Sequence, residues 1–75
     1  MIPATLSQAF LDGEEIPDVS FRHNDAVRMI RGAHAGALGA IIMLLSLDPE
    51  PLFVVELASG QDVEASQSEI VSVDA

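Results

Sequence analysis

Cysteine and lysine are both absent from this 75-residue chain, tryptophan and tyrosine are missing too, and phenylalanine occurs three times. Without cysteine, neither a disulfide framework nor a thiolate metal site can reinforce the core. Three arginines stand against 12 acidic residues, for a formal net charge of −9. Such a field repels phosphate backbones, whereas nucleic-acid affinity comes largely from lysine and arginine neutralising phosphates. It points to protein partners with basic or mixed surfaces, or to acidity that keeps a small apolar chain soluble. The scarcity of aromatics, confined to Phe10, Phe21 and Phe53, predicts an aliphatic core. Long hydrophobic runs are lacking as well: the longest, 37–45, contains a glycine and falls short of the ~20 residues of a membrane helix. The first residues carry no basic charge and no apolar run of signal-peptide length. A soluble, cytoplasmic chain is expected.

What is present is strongly apolar, with 49% hydrophobic residues. A chain this short makes one domain at most, close to the lower limit for folding on a hydrophobic core alone. So small and apolar a chain is expected to leave part of its apolar surface exposed, a first reason to expect self-association.

Two segments differ in pattern. Residues 1–24 read as a loosely attached arm: 4–11 can make one or two helical turns, Asp12-Gly13 stops them, and proline interrupts the acidic loop Glu14-Glu15-Ile16-Pro17-Asp18. Val19-Ser20-Phe21 is a short alternating run. From Asp25 the pattern becomes that of closely spaced strands. Val27-Arg28-Met29-Ile30-Arg31 alternates with Val27 and Met29 inward and Arg28 outward. Residues 38–45 read as a second strand, and Ser46-Leu47-Asp48-Pro49-Glu50-Pro51 as a turn. In the third strand, Leu52-Phe53-Val54-Val55-Glu56-Leu57, the alternation puts Phe53, Val55 and Leu57 on one face and Glu56 on the other.

Pairing Leu45 with Phe53, Met43 with Val55 and Ile41 with Leu57 keeps Glu56 out of the core. That register leaves Ile42, Leu44, Leu52 and Val54 together on the opposite face, the expected self-association patch. Ser59-Gly60 closes a hairpin into a strand whose Asp62 and Glu64 point outward around Val63. Ser66-Gln67-Ser68-Glu69 has capping-box spacing for one helical turn, and Ile70-Val71-Ser72-Val73 forms the last strand. The expected fold class is all-β, a small barrel of about five short strands over 25–75 with the arm 1–24 attached.

Glycines 32, 36 and 39 punctuate the loop between the first two strands and specify a tightly folded turn region. With Asp25, Val27 and Met29 ahead of Gly32, Gly36 and Gly39, and Ile41 behind them, the spacing resembles the KOW motif. That motif is the strand-loop-strand signature of small SH3-like barrels in ribosomal proteins and NusG-type transcription elongation factors. The motif and the strands after it span roughly two thirds of the chain. The resemblance implies an SH3-like barrel whose loop and adjoining strands contact RNA, DNA or protein partners. Members that grip nucleic acid usually carry lysines or arginines in and after the loop. Here the corresponding positions are Ala33, His34, Ala35, Ala37 and Leu38, with Arg31 at the entrance and Glu56, Asp62, Glu64 and Glu69 downstream.

Arg28, Arg31, Ala33 and His34 are therefore the candidate partner contacts. Arg22, beside His23, extends the basic spot, and all three arginines fall within ten residues. The plainer alternative is that they pair with carboxylates of the same barrel, where exposed pairs contribute ~0–1 kcal/mol. His23 reads as a turn residue, and His34, eleven positions on, forms no recognised zinc spacing with it. Glu14-Glu15 and Asp62 with Glu64 lie in a loop and on a solvent-facing strand, not in the sheltered pocket that acid-base catalysis needs. Neither a nucleophile-base set nor a phosphate-cradling Gly-Lys motif can be assembled. No enzymatic activity, cofactor, metal, small-molecule substrate or membrane is expected. The leading expectation is a non-enzymatic protein-interaction module that binds a protein partner, a second copy of itself, or both. Its alternative is a nucleic-acid or ribosome-associated KOW domain using Arg28, Arg31 and His34.

Overall fold

The computed structural model describes residues 2–73. A helix, α1 (Ala4–Leu11), precedes five strands: β1 (Ala26–Met29), β2 (Leu38–Ser46), β3 (Leu52–Leu57), β4 (Asp62–Ser66) and β5 (Ile70–Ser72). A 3-10 turn, Gln67–Glu69, links the last two strands. All pairings are antiparallel, in the order β4-β3-β2-β1-β5. The all-β expectation holds, but the sheet does not close into a barrel. β4 and β5 remain edges that share no ladder. β5 pairs with β1 over three residues and is joined to β4 by the 3-10 turn.

Alternation sorts the faces on three strands. Val27, Met29, Phe53, Val55, Leu57 and Ala65 are buried, while Arg28, Glu56, Asp62 and Glu64 between them are exposed. β2 behaves differently because residues 41–45 are apolar without interruption and offer no polar residue to set a register. The observed pairs are Ile41 with Val55, Met43 with Val54, Leu44 with Phe53 and Ser46 with Leu52, which replaces the expected register. Seven residue steps on β2 face five on β3, and Ile42 and Leu45 are the extra residues, one at each irregularity. An extra residue reverses the alternation beyond it. Leu44 is consequently only 2% exposed and leaves the expected outer patch, while Met43 is 44% exposed and joins it.

Gly32 and Gly36 are turn glycines, with φ of +82° and +93°. The Gly36 N–H donates to the Met29 carbonyl at 2.6 Å and closes the loop. Gly39 is not in the turn. It lies within β2, paired with Val27 on one side and Leu57 on the other. A Cβ there would stand 2.6 Å from the Glu56 carbonyl oxygen and 2.8 Å from Val55 Cγ1, so the position needs glycine for close approach.

The arm is seated on the sheet instead of hanging loosely from it. Phe10 and Ile16 are buried in one cluster with Val27, Ile41, Phe53 and Val55. α1 ends on Gly13 (φ +79°), whose N–H donates to the Phe10 carbonyl while the Glu14 N–H reaches that of Ala9. This double closure turns the chain sharply and directs Ile16 inward. The aliphatic-core expectation also changes, because the Phe53 ring lies 5.9 Å from that of Phe10 and 5.8 Å from that of Phe21. Few aromatics are present, yet they are concentrated at one point. Burial of such a side chain contributes about 1.5–3 kcal/mol.

Polar clamps hold the arm from outside. Gln67 Oε1 accepts from the Ser20 N–H at 2.8 Å, and its Nε2 donates to the Asp18 carbonyl at 3.2 Å. Gln67 is positioned in turn by the capping box of the 3-10 turn, in which the Ser66 N–H donates to Glu69 Oε1 at 2.8 Å. The Glu50 carboxylate adds two bonds, from the N–H and the hydroxyl of Ser68 at 2.7 and 3.0 Å.

Candidate interaction face

One face of the sheet carries the core and the arm; the other is open. Cross-strand pairing arranges the open face in rows. One runs Asp62, Glu56, Ala40, Ala26, and the Val73 N–H bonds the Ala26 carbonyl at its end. The next runs Leu38, Arg28, Val71. Farther along β2, Met43 stands beside Val54 and Glu64, and Ser46 beside Leu52 and Ser66. Leu38 (48% exposed), Met43 (44%), Val71 (40%) and Val73 (37%) are exposed large hydrophobic residues on this face. Charge is segregated on it, with Arg28 on β1 and Glu56, Asp62 and Glu64 on β3 and β4.

A shallow hollow open to solvent interrupts the face beside Glu56. Leu38, Gly39, Ala40, Leu57, Ala58 and Gly60 complete its lining. It exists because Ala40 and Ala58 project only methyl groups and Gly60 nothing at all. Arg28 has no matching engagement. Among the described residues, the side chains of Arg22, Arg28 and Arg31 take part in no hydrogen bond or ion pair. Among the described residues, none of the three therefore neutralises a carboxylate of its own domain.

Of the residues singled out from sequence as partner contacts, Arg28 lies on the open face. Arg31, Ala33 and His34 lie beyond Ile30 in the β1–β2 loop, the first two exposed and His34 half-buried, with its carbonyl accepting the Ala37 N–H at 2.9 Å. His23 is half-buried in an edge-to-face arrangement with Phe10, centroids 6.4 Å apart. Of the expected self-association patch, Leu52 and Val54 are on the open face and half-buried, Ile42 occupies a bulge, and Leu44 is in the core. Sequence reasoning missed Leu38, Met43, Val71 and Val73. The alternation of 70–73 did carry a signal for Val71 and Val73, whereas Met43 is turned outward by a bulge that no local pattern announces.

Among the described residues, no group of three histidines or acids is placed to hold a metal ion, and no helix is long and apolar enough to cross a membrane. Compared with family models, curated proteins and solved structures, the chain matches none of them.

Proposed function

We propose that this chain is a cytoplasmic, non-enzymatic protein-interaction module of KOW-like, SH3-like type, and that it self-associates through the open face of its sheet. The observation that carries this reading is the exposure of Leu38, Met43, Val71 and Val73 opposite a fully formed core. Small domains rarely leave such a group uncovered. Covering it in a dimer contributes on the order of several kcal/mol at roughly 25 cal/mol per Å² of apolar area, before association entropy is subtracted. The sheet edges are poorer sites of association: β4 carries Asp62 and Glu64, and β5 offers three residues. The non-enzymatic half of the reading is supported by the charged side chains of the described residues, all of them exposed or half-buried, whereas acid-base catalysis works in a sheltered pocket. The KOW-like half is supported by the glycine-turned loop between β1 and β2 and by the helical turn ahead of the last strand. Sedimentation of the intact protein and of Met43→Glu tests the reading. A dimer at high micromolar concentration that the substitution dissociates is expected; a monomer throughout overturns it.

The guanidinium groups of Arg28 and Arg31, which pair with no group among the described residues, favour a second reading, in which the β1–β2 end of the domain contacts RNA or DNA. That reading expects retention on nucleic acid at low salt, falling steeply as salt rises. No retention at low salt removes it.

A further inference from the structure

We infer that two copies pack about a two-fold axis running along β2, so that Arg28 of each copy enters the hollow beside Glu56 of the other. The inference rests on the self-association proposed above and specifies its geometry. Sheets that pack face to face in the aligned class keep their strands within about 30° of one another. A two-fold axis in such an interface runs either across the strands or along them. Across the strands, each strand covers its own counterpart, so the acids of β3 and β4 face themselves and Arg28 lies over β1 again. Along β2, the copies exchange sides: β1 of one lies over β3 of the other, and positive meets negative.

The heights along the strands agree with this choice. Arg28 pairs with Leu38 on one side of β2, and the Ala58 N–H bonds the Leu38 carbonyl at 2.9 Å on the other side. Arg28 and Ala58 are thus level with each other across β2. Rotation about β2 exchanges these two sites and sets Arg28 of one copy over Ala58 of the second copy. Ala58 lines the hollow together with Glu56. Leu38 and Met43, on the axis strand, meet their own counterparts. The guanidinium of Arg28, unpaired among the described residues, and the methyl-lined space beside Glu56 are the two halves of one contact, made twice per dimer.

Charge reversal in separate chains tests the geometry. Arg28→Glu makes the chain two charges more negative and Glu56→Arg two charges less negative. Net repulsion alone would make Glu56→Arg associate better than the unaltered protein. The inferred contact makes both variants associate worse, by roughly tenfold or more, because like charges then meet at both sites. Mixing the two variants restores opposite signs at both contacts, so heterodimers of near-original affinity are expected in sedimentation and native mass spectrometry. A variant that had lost its fold could not be rescued by mixing. The neutral substitutions Arg28→Gln and Glu56→Gln supply the same comparison in milder form, with one intact pair in the mixed dimer and none in either alone. If the unaltered protein dimerises but the variants do so equally well, or mixing recovers nothing, this geometry is overturned and the self-association reading stands. If the unaltered protein is a monomer, both fall.

Discussion

The ring of Phe10 packs on that of Phe53 with centroids 5.9 Å apart and planes inclined at 37°, which couples α1 to the β2–β3 hairpin. Phe53 is fully buried, and Phe21 of the arm meets the same ring at 90°. A segment that reads as an appendage is thus part of the core of the sheet.

Phe10→Ala should accordingly lower stability by about 3–5 kcal/mol, the usual range for emptying a buried phenylalanine site. Domains of this kind typically have ~5–15 kcal/mol in total, so a substantial unfolded population is expected at room temperature. Urea denaturation followed by circular dichroism measures it. A loss below about 1 kcal/mol would show that the arm is dispensable.

The bulged register makes a prediction that the unbulged one reverses. Leu44→Ala should cost about 2–5 kcal/mol, whereas Met43→Ala should leave the monomer within about 0.5 kcal/mol. Denaturation at low protein concentration, where association does not contribute, compares the two directly. A larger loss at Met43 than at Leu44 would restore the register without bulges.

Two glycines should fail for different reasons. Gly36→Ala forces a Cβ onto a residue with φ of +93° in open space, for a cost of about 1 kcal/mol. Gly39→Ala drives a Cβ into the Glu56 carbonyl oxygen, a backbone atom that cannot rotate aside, and should cost more, about 1–3 kcal/mol. Thermal melts of both variants give the order, and equal melting temperatures would remove the distinction.

Gln67→Ala deletes both bonds to the arm while leaving the core intact. Because the clamp is exposed, the expected loss is near 1 kcal/mol, the low end for two hydrogen bonds. Amide exchange gives the sharper readout: the Ser20 N–H should exchange faster in the variant, and the β3 amides should not. Unchanged protection at Ser20 would mean that another group holds it.

Where a strand alternates, the sequence could be read almost residue by residue. Val27, Met29, Phe53, Val55 and Leu57 lie inward as their spacing says, and Arg28 and Glu56 outward. In β2 alternation disappears, and the inward choice among five consecutive apolar residues is made by long-range packing against β3. The role of Gly39 was hidden for a similar reason, since the atoms that crowd it belong to residues 55 and 56. The arm escaped because Phe10 and Ile16, separated by Gly13, share no helical or strand period that would mark them as one buried surface. Arg28 was legible as an outward charge. Its position level with Ala58 follows from two ladders at once and appears only when the strands are assembled.

The clamp made by Gln67 also bears on how the protein is synthesised. It joins positions 47 and 49 residues apart, and the chain between them holds most of the sheet. On the ribosome, residues 1–24 therefore emerge well before the side chains that will shelter them. Phe10 waits for Phe53, and Ser20 waits until residue 67 has been added. Contacts of such long sequence separation close late, after most of the sheet has been synthesised. Until that moment Phe10 and Ile16 lack the surface that buries them, and a chain cut ahead of Gln67 has neither of the two bonds that hold Asp18 and Ser20.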